Sequence, residues 1–133
     1  MRRLTSKSIK AFTLVEIMIV VAIIELLATI LIPNLVRVRI NSNDTMAQST
    51  LKTLGTAMEN YAASNDSYPG TMTELRNITP PYVDEDFFTG THGGFTYTAN
   101  LSAYTYTITA EPAGSNLGSH SYTITTGSVL VEN

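Results

Sequence analysis

Between Phe12 and Ile32 lies a run of about 21 residues whose only charged members are Glu16 and Glu25. As a helix such a run crosses roughly 30 Å of hydrocarbon. No water-soluble domain can be built around it without covering every face of that helix, so this run limits the possible folds more than any other feature. Ahead of it, Arg2, Arg3, Lys7 and Lys10 give residues 1–11 a charge of +4, with no acid. The remainder holds four bases against eleven acids. A basic head before an apolar span keeps the head cytoplasmic and sends the rest of the chain to the other side. A secretory signal would be cut after its apolar region at a small-x-small site. Here the run ends in Pro33-Asn34 and then Arg37 and Arg39, poor material for that cleavage. A plain signal anchor satisfies these features.

The whole chain has 133 residues, enough for one domain plus an extended element. It contains no cysteine, which excludes a disulfide framework, a thiolate nucleophile and a Cys-based metal site. No internal repeat is visible.

The stretch KAFTLVEIMIVVAII carries a resemblance to the N-terminal signal of type IV pilins and type II secretion pseudopilins. That signal has a basic leader, a small residue at the cut, then Phe-Thr-Leu-x-Glu opening an apolar helix. The similarity is specific over residues 7–36, includes Pro33-Asn34, extends more weakly to about residue 75 through SYPGTMTEL, and thins beyond. It implies that a prepilin peptidase cuts between Ala11 and Phe12 and methylates the new amine of Phe12. Residues 1–11 would then be a removed leader, 12–33 the membrane and filament-core helix, 34–65 its outer half, and 66–133 a loop region and C-terminal sheet. Two positions depart from the pattern. Ala11 stands where the family usually has Gly, and it remains small enough for a tight protease pocket, so processing is expected to be equal or slower. Glu25 stands where Gly is common.

A carboxylate at the bilayer centre costs about 2.5–3.5 kcal/mol on insertion scales. Glu16, four residues after Phe12, lies near the membrane face, where the cost is lower. By the resemblance its partner is the Phe12 amine of a neighbouring subunit. Such a pair sets register, because an unpaired acid in an apolar bundle is strongly disfavoured. The plainer alternative is an interfacial acid that snorkels to water. Glu25 is nine residues further on, so at 100° per residue the two acids lie about 180° apart. They cannot share one partner. Three readings of Glu25 stay open: it is protonated in lipid, it pairs with a base on another subunit, or it sits where the helix loosens. Pro33 removes a backbone donor inside the helix, which favours a kink there; the resemblance implies a point of melting near it when subunits pack.

Past Pro33, Ala47, Leu51, Leu54, Met58 and Tyr61 step by four, three, four and three, a one-faced helical stripe. Asn41-Ser42-Asn43-Asp44 is a weak helical stretch where a hinge is expected. A continuous helix from Phe12 to about Ser64 would be roughly 80 Å long. A turn-rich region from Tyr68 to Gly94 contains Pro69, Pro80 and Pro81. After it, GFTYTA, YTYTITA and SYTITT alternate, with Phe95, Tyr97, Tyr104, Tyr106, Ile108, Tyr122 and Ile124 inward. Thr96, Thr98, Thr105, Thr107 and Thr109 should face water. Asn100–Ala103 reads as a short hairpin loop, Glu111–Ser119 as a longer one, and Gly127 as a tight turn into SVLV. The fold class is α+β, with three or four antiparallel strands covering the helical stripe. The resemblance implies the same shape.

No catalytic constellation stands out, and an enzyme is not expected. His92 and His120 are the only histidines, both in turn-rich stretches. Asp84-Glu85-Asp86 could offer oxygens to Ca²⁺, which takes six to eight of them. Pseudopilins often bind calcium in a C-terminal loop, but the usual Trp is missing, and a solvated acidic turn is the simpler reading. No metal or cofactor is assigned. The acidic exported part repels phosphate, so the subunit alone is not expected to bind nucleic acid. Phe12 and Tyr61 are the only aromatics along the helix, which leaves no stack for electron transport.

The resemblance therefore implies a structural subunit. It would sit in the bacterial inner membrane as a single-pass protein, with its C-terminal part outside, and then polymerise into a type IV pilus or related filament. Its partners would be copies of itself, other pilins, the prepilin peptidase, an inner-membrane assembly platform and, before assembly, lipid. The alternatives are a type II secretion pseudopilin that drives export of folded proteins and a signal-anchored domain that never polymerises.

Overall fold

The computed structural model describes residues 11–133; the basic residues Arg2 to Lys10 of the expected leader lie outside them. The chain divides between Leu35 and Val36 into two compact units. One helix, α1, covers Leu14–Asn65, 52 residues, with Pro33 inside it. Among the described residues of the first unit it is the only element. In the second it is followed by a 3₁₀ turn, Met72–Leu75, and four strands: β1 (Phe95–Leu101), β2 (Tyr106–Pro112), β3 (Tyr122–Thr125) and β4 (Val129–Glu132). The strands form an antiparallel meander in the order β1-β2-β3-β4.

The stripe read from the sequence is the helix's buried face. Ala47, Leu51, Leu54 and Met58 are buried and Tyr61 packs against them. Gly55 lies on the same face because the sheet comes unusually close there. A Cβ at position 55 would stand 2.5 Å from the Ile124 side chain, so only glycine fits without repacking. From the sheet, Phe95, Tyr97, Tyr106, Ile108, Ala110, Tyr122 and Ile124 point inward and complete one core. Their alternation follows from the two-residue period of a strand. The register places Ile108 opposite Ile124 and Ala110 opposite Tyr122 on that face.

Three details differ from expectation. The long loop expected at Glu111–Ser119 occupies residues 113–121, because Glu111 and Pro112 still pair with Thr96 and Phe95 in the ladder. Tyr104 is 80% exposed and belongs to the β1–β2 turn. That turn occupies Ser102–Thr105, slightly later than expected, and closes with the Ser102 amide donating to the Thr105 carbonyl at 2.8 Å. Tyr104 therefore precedes the strand whose parity it shares, and Ala110 supplies β2's third inward residue. Asn41–Asp44, where a hinge was expected, is helical throughout. Its polar side chains reach the long β2–β3 loop. Asn43 donates to the Leu117 carbonyl at 2.8 Å, and the buried Asp44 carboxylate accepts from the Ser119 amide at 3.0 Å and from the Ser119 hydroxyl. The β3–β4 turn uses positive φ at Gly127 (80°) and Ser128 (58°).

Candidate assembly surface

Ala11, Phe12 and Thr13 precede α1 and are exposed, Phe12 by 82%. Thr13 caps the helix. Its backbone amide and its hydroxyl both donate to the Glu16 carboxylate, at 2.8 and 2.7 Å, and the Glu16 amide donates back to the Thr13 hydroxyl at 3.2 Å. This reciprocal capping box satisfies backbone donors that a helix start leaves unpaired. It also turns the Glu16 carboxylate back towards the peptide that joins Phe12 to Thr13. The negative charge is favourable there, at the positive end of the helix. Within one copy the Glu16 carboxylate is thus engaged by Thr13, the residue that follows Phe12. The Thr-x-x-Glu spacing is the sequence signal that points to this link.

From Leu14 to Val38 the large apolar side chains are exposed on every face, Ile24 by 59% for example. This helix is long and apolar enough to cross a membrane. Where the helix is apolar all round, no single neighbouring layer of its own chain can cover it, so its surroundings must be lipid or other helices. Glu25 sits among these residues, exposed. The Thr29 hydroxyl donates to the Glu25 backbone carbonyl at 2.9 Å, not to its carboxylate. No ion pair engages that carboxylate among the described residues. Pro33 lies inside the helical run and has no N–H to offer the Thr29 carbonyl, which leaves one rung of the ladder open.

The acidic turn is engaged within the chain. Asp86 accepts from the Phe88 amide at 3.0 Å and the Thr89 hydroxyl at 3.1 Å, and pairs with Arg76 at 3.1 Å. These bonds, the Phe88 amide first, hold its carboxyl below the usual carboxylate range. Glu85 lies 3.5 Å from His92, and His120 lies 3.1 Å from Glu132. Among the described residues no three His, Asp or Glu side chains converge as a metal would require.

The chain is 33% identical over 110 residues to the type IV wide pilus major component PilA4 of Thermus thermophilus, a match covering 80% of this chain and 84% of that one. The chain belongs to the type IV pilin family. Over 66 residues it is 41% identical to the type IV major pilin protein PilA of Myxococcus xanthus, across 50% of this chain but 30% of the relative. It is 33% identical over 78 residues to the type II secretion system core protein G of Pectobacterium carotovorum, covering 58% of this chain and half of that protein. No family model matches the chain, and no solved structure does.

This pilin-family chain also has a polar node that the sequence did not reveal. The Glu59 carboxylate accepts from the Tyr68 hydroxyl at 3.1 Å, the Tyr106 hydroxyl at 3.1 Å and the Gly127 amide at 2.8 Å. It thereby ties α1 to the post-helix segment, to β2 and to the β3–β4 turn. Its partners lie 9, 47 and 68 residues away. No local spacing rule could have assembled them.

Proposed function

We propose that this chain is a structural subunit that polymerises into a type IV pilus after cleavage between Ala11 and Phe12. One observation carries the reading: a helix apolar on every face, opened by an acid held against its own N-terminus, in a chain of the type IV pilin family. In the membrane, lipid covers that helix. In a filament, the helices of other copies replace the lipid, and the Phe12–Pro33 segment becomes the core while the sheet-bearing part faces outward. A prepilin peptidase removes residues 1–11 and methylates Phe12, and an inner-membrane platform supplies subunits to the growing end.

In this reading Glu16 selects the register. Once residue 11 is cut away, Phe12 carries a free amine, and Thr13 holds the Glu16 carboxylate beside the helix start. A subunit entering the bundle with its amine level with Glu16 of a neighbour neutralises both charges. Any other register leaves a charge unpaired in an apolar surrounding. Pro33 and the open Thr29 carbonyl mark where the helix could unwind under that packing.

A second reading, a type II secretion pseudopilin, draws on the matches to core protein G, which cover about half of each chain. The pilus reading is favoured because the match to PilA4 runs through most of the outer part as well. Mass spectrometry of the purified protein tests the processing step. The expected mature chain begins at N-methylated Phe12, and an intact Met1 or a cut after Asn34 would refute the reading. Glu16→Ala should leave the protein in the membrane and abolish filaments, whereas normal filaments would remove the charge-pair account. Deletion of the gene separates the two systems: surface pili are lost in one case, export of folded proteins in the other.

A further inference from the structure

Tyr104 stands in the β1–β2 turn with 80% of its surface exposed, more than any other large hydrophobic side chain in the second unit among the described residues. The other exposed apolar groups of the sheet-bearing part have plainer settings. Met46 lies against Gly93, and Val129 and Val131 belong to β4. The turn that carries Tyr104 is pinned on both sides. The Ser102 amide donates to the Thr105 carbonyl at 2.8 Å, and the Tyr68 amide to the Ala103 carbonyl at 3.0 Å. An aromatic ring on a fixed backbone has only its own torsions to lose on burial, so a contact made through it costs little ordering entropy.

The same unit carries a pocket of about 220 Å³ between α1 and the turn-rich region. Leu54, Leu75 and Val83 form its buried floor, with Phe88 beside them and Glu85 and Thr89 at the rim. Arg76 reaches the rim as well, beside its partner Asp86. An apolar floor under a guanidinium and a carboxylate suits a ring with a polar tip better than an aliphatic side chain. The ring face attracts the cation, and a phenol has an acceptor in Glu85. The chain's own Tyr104 does not fill this pocket. Its turn is tied to Tyr68, past the end of α1, whereas the pocket lies beside Leu54, eleven residues or about 16 Å back along the helix.

We propose that Tyr104 of one copy inserts into the Leu54–Phe88 pocket of the next copy in the assembled filament. The contact rests on the filament reading and deepens it by naming an anchor of the outer layer. Both halves lie within the second unit, so no register between the apolar helices enters. Knob and hole are different surfaces, which makes the contact heterologous: every copy offers one of each, and the contact repeats from copy to copy as a filament requires. A tyrosine seated in a desolvated pocket is the kind of residue that dominates an interface.

Filaments sheared from cells carrying the full chain are compared for the parent, Y104A, Y104F, T73W and Y104A/T73W, with the membrane pool measured alongside. Thr73 lines the pocket and is exposed, so an indole there closes the mouth. Y104A should lower filament yield at least ~tenfold at an unchanged membrane pool, without moving thermal unfolding of the detergent-solubilised subunit. Y104F should keep most of the yield. T73W should fall like Y104A, and the double variant should be no worse than the poorer single, because both changes remove one contact. A Y104A chain that assembles like the parent, or losses that add in the double variant, would overturn the proposal. If Glu16→Ala still abolishes filaments in that case, the Tyr104 contact alone has failed; a parent that makes no filaments overturns the filament reading with it. Because the chain lacks cysteine, Y104C/T73C gives a direct check of proximity. Its filaments, treated with a short bis-maleimide, should yield covalent dimers and longer ladders, while Y104C alone stays monomeric. Monomer alone from the double variant, or dimers from Y104C by itself, would refute the assignment.

Discussion

Two stretches of α1 use the same apolar side chains to opposite ends. Between Leu14 and Leu35 they occupy nearly every position and are exposed, whereas between Ala47 and Met58 they recur every three or four residues and are buried. The spacing decides which. A one-faced stripe can be covered by one sheet of the same chain, and here β1–β4 cover it. A helix apolar all round cannot, and must find its surroundings outside the chain. The polar residues divide in the same way. Glu59 and Asp44 find their partners within the chain, while Glu25 finds none there among the described residues.

The largest expected effect comes from truncating the same kind of side chain in each stretch. Leu51 is fully buried, and Leu51→Ala should destabilise the sheet-bearing unit by about 2–5 kcal/mol. Ile24→Ala removes exposed surface and should change that stability by less than about 0.5 kcal/mol. Its cost should fall on filament yield instead. Thermal unfolding of both detergent-solubilised variants, followed by near-ultraviolet circular dichroism, checks this. Equal losses of stability would mean that the two stretches are not energetically separate.

Much of this division was legible in the residues. The apolar run, the stripe from Ala47 to Tyr61, the inward parity of Tyr106 and Ile108, and the Gly127 turn are all local patterns, and local patterns survive in a one-dimensional reading. What escaped depended on pairing at a distance. Tyr104 shares the parity of β2 but falls before its first ladder pair, Leu101 with Tyr106, and register alone decides that. Asn41–Asp44 reads as a weak helix because the chain offers no sign that residues 117–119 will engage it. The Glu59 node was invisible for the same reason. At the candidate assembly surface the Thr13–Glu16 capping bonds are a local feature, and the Thr-x-x-Glu spacing is the sequence signal for them.

Glu59 sharpens the comparison at the next level of magnitude. Glu59→Ala leaves the hydroxyls of Tyr68 and Tyr106 and the Gly127 amide without their acceptor, and should cost about 2 kcal/mol in the sheet-bearing unit. The same tyrosines predict an alkaline limit. Burial, with Glu59 close by, raises the phenols of Tyr68 and Tyr106 above their ordinary value, and burial raises that of Tyr97. A raised phenol keeps its proton longer in the folded chain than in the unfolded one. Stability should therefore be level below about pH 10 and fall as pH rises through the raised values. Tyrosine absorbance and circular dichroism followed together would test this: late ionisation should coincide with unfolding, and full ionisation of a still-folded protein would contradict it.

The smallest effect should come from Asp86, whose partners all lie in the exposed loop region. Its carboxyl is held low, chiefly by the Phe88 amide and the Thr89 hydroxyl, with Arg76 contributing less. Both members of the Arg76–Asp86 pair are about two-fifths exposed, so solvent screens it and its loss alone matters little. A depressed carboxyl stabilises the fold above its unfolded value, about 3.9, and that contribution disappears as pH falls through the lowered value. Asp86→Asn should accordingly lower the melting temperature slightly at neutral pH, and the two proteins should converge in strong acid. Raising the salt concentration should barely narrow the neutral-pH difference, because short hydrogen bonds to the Phe88 amide and Thr89 hydroxyl, rather than the screened ion pair, hold the charge. A difference that vanished in high salt at pH 7 would instead assign the stabilisation to Arg76.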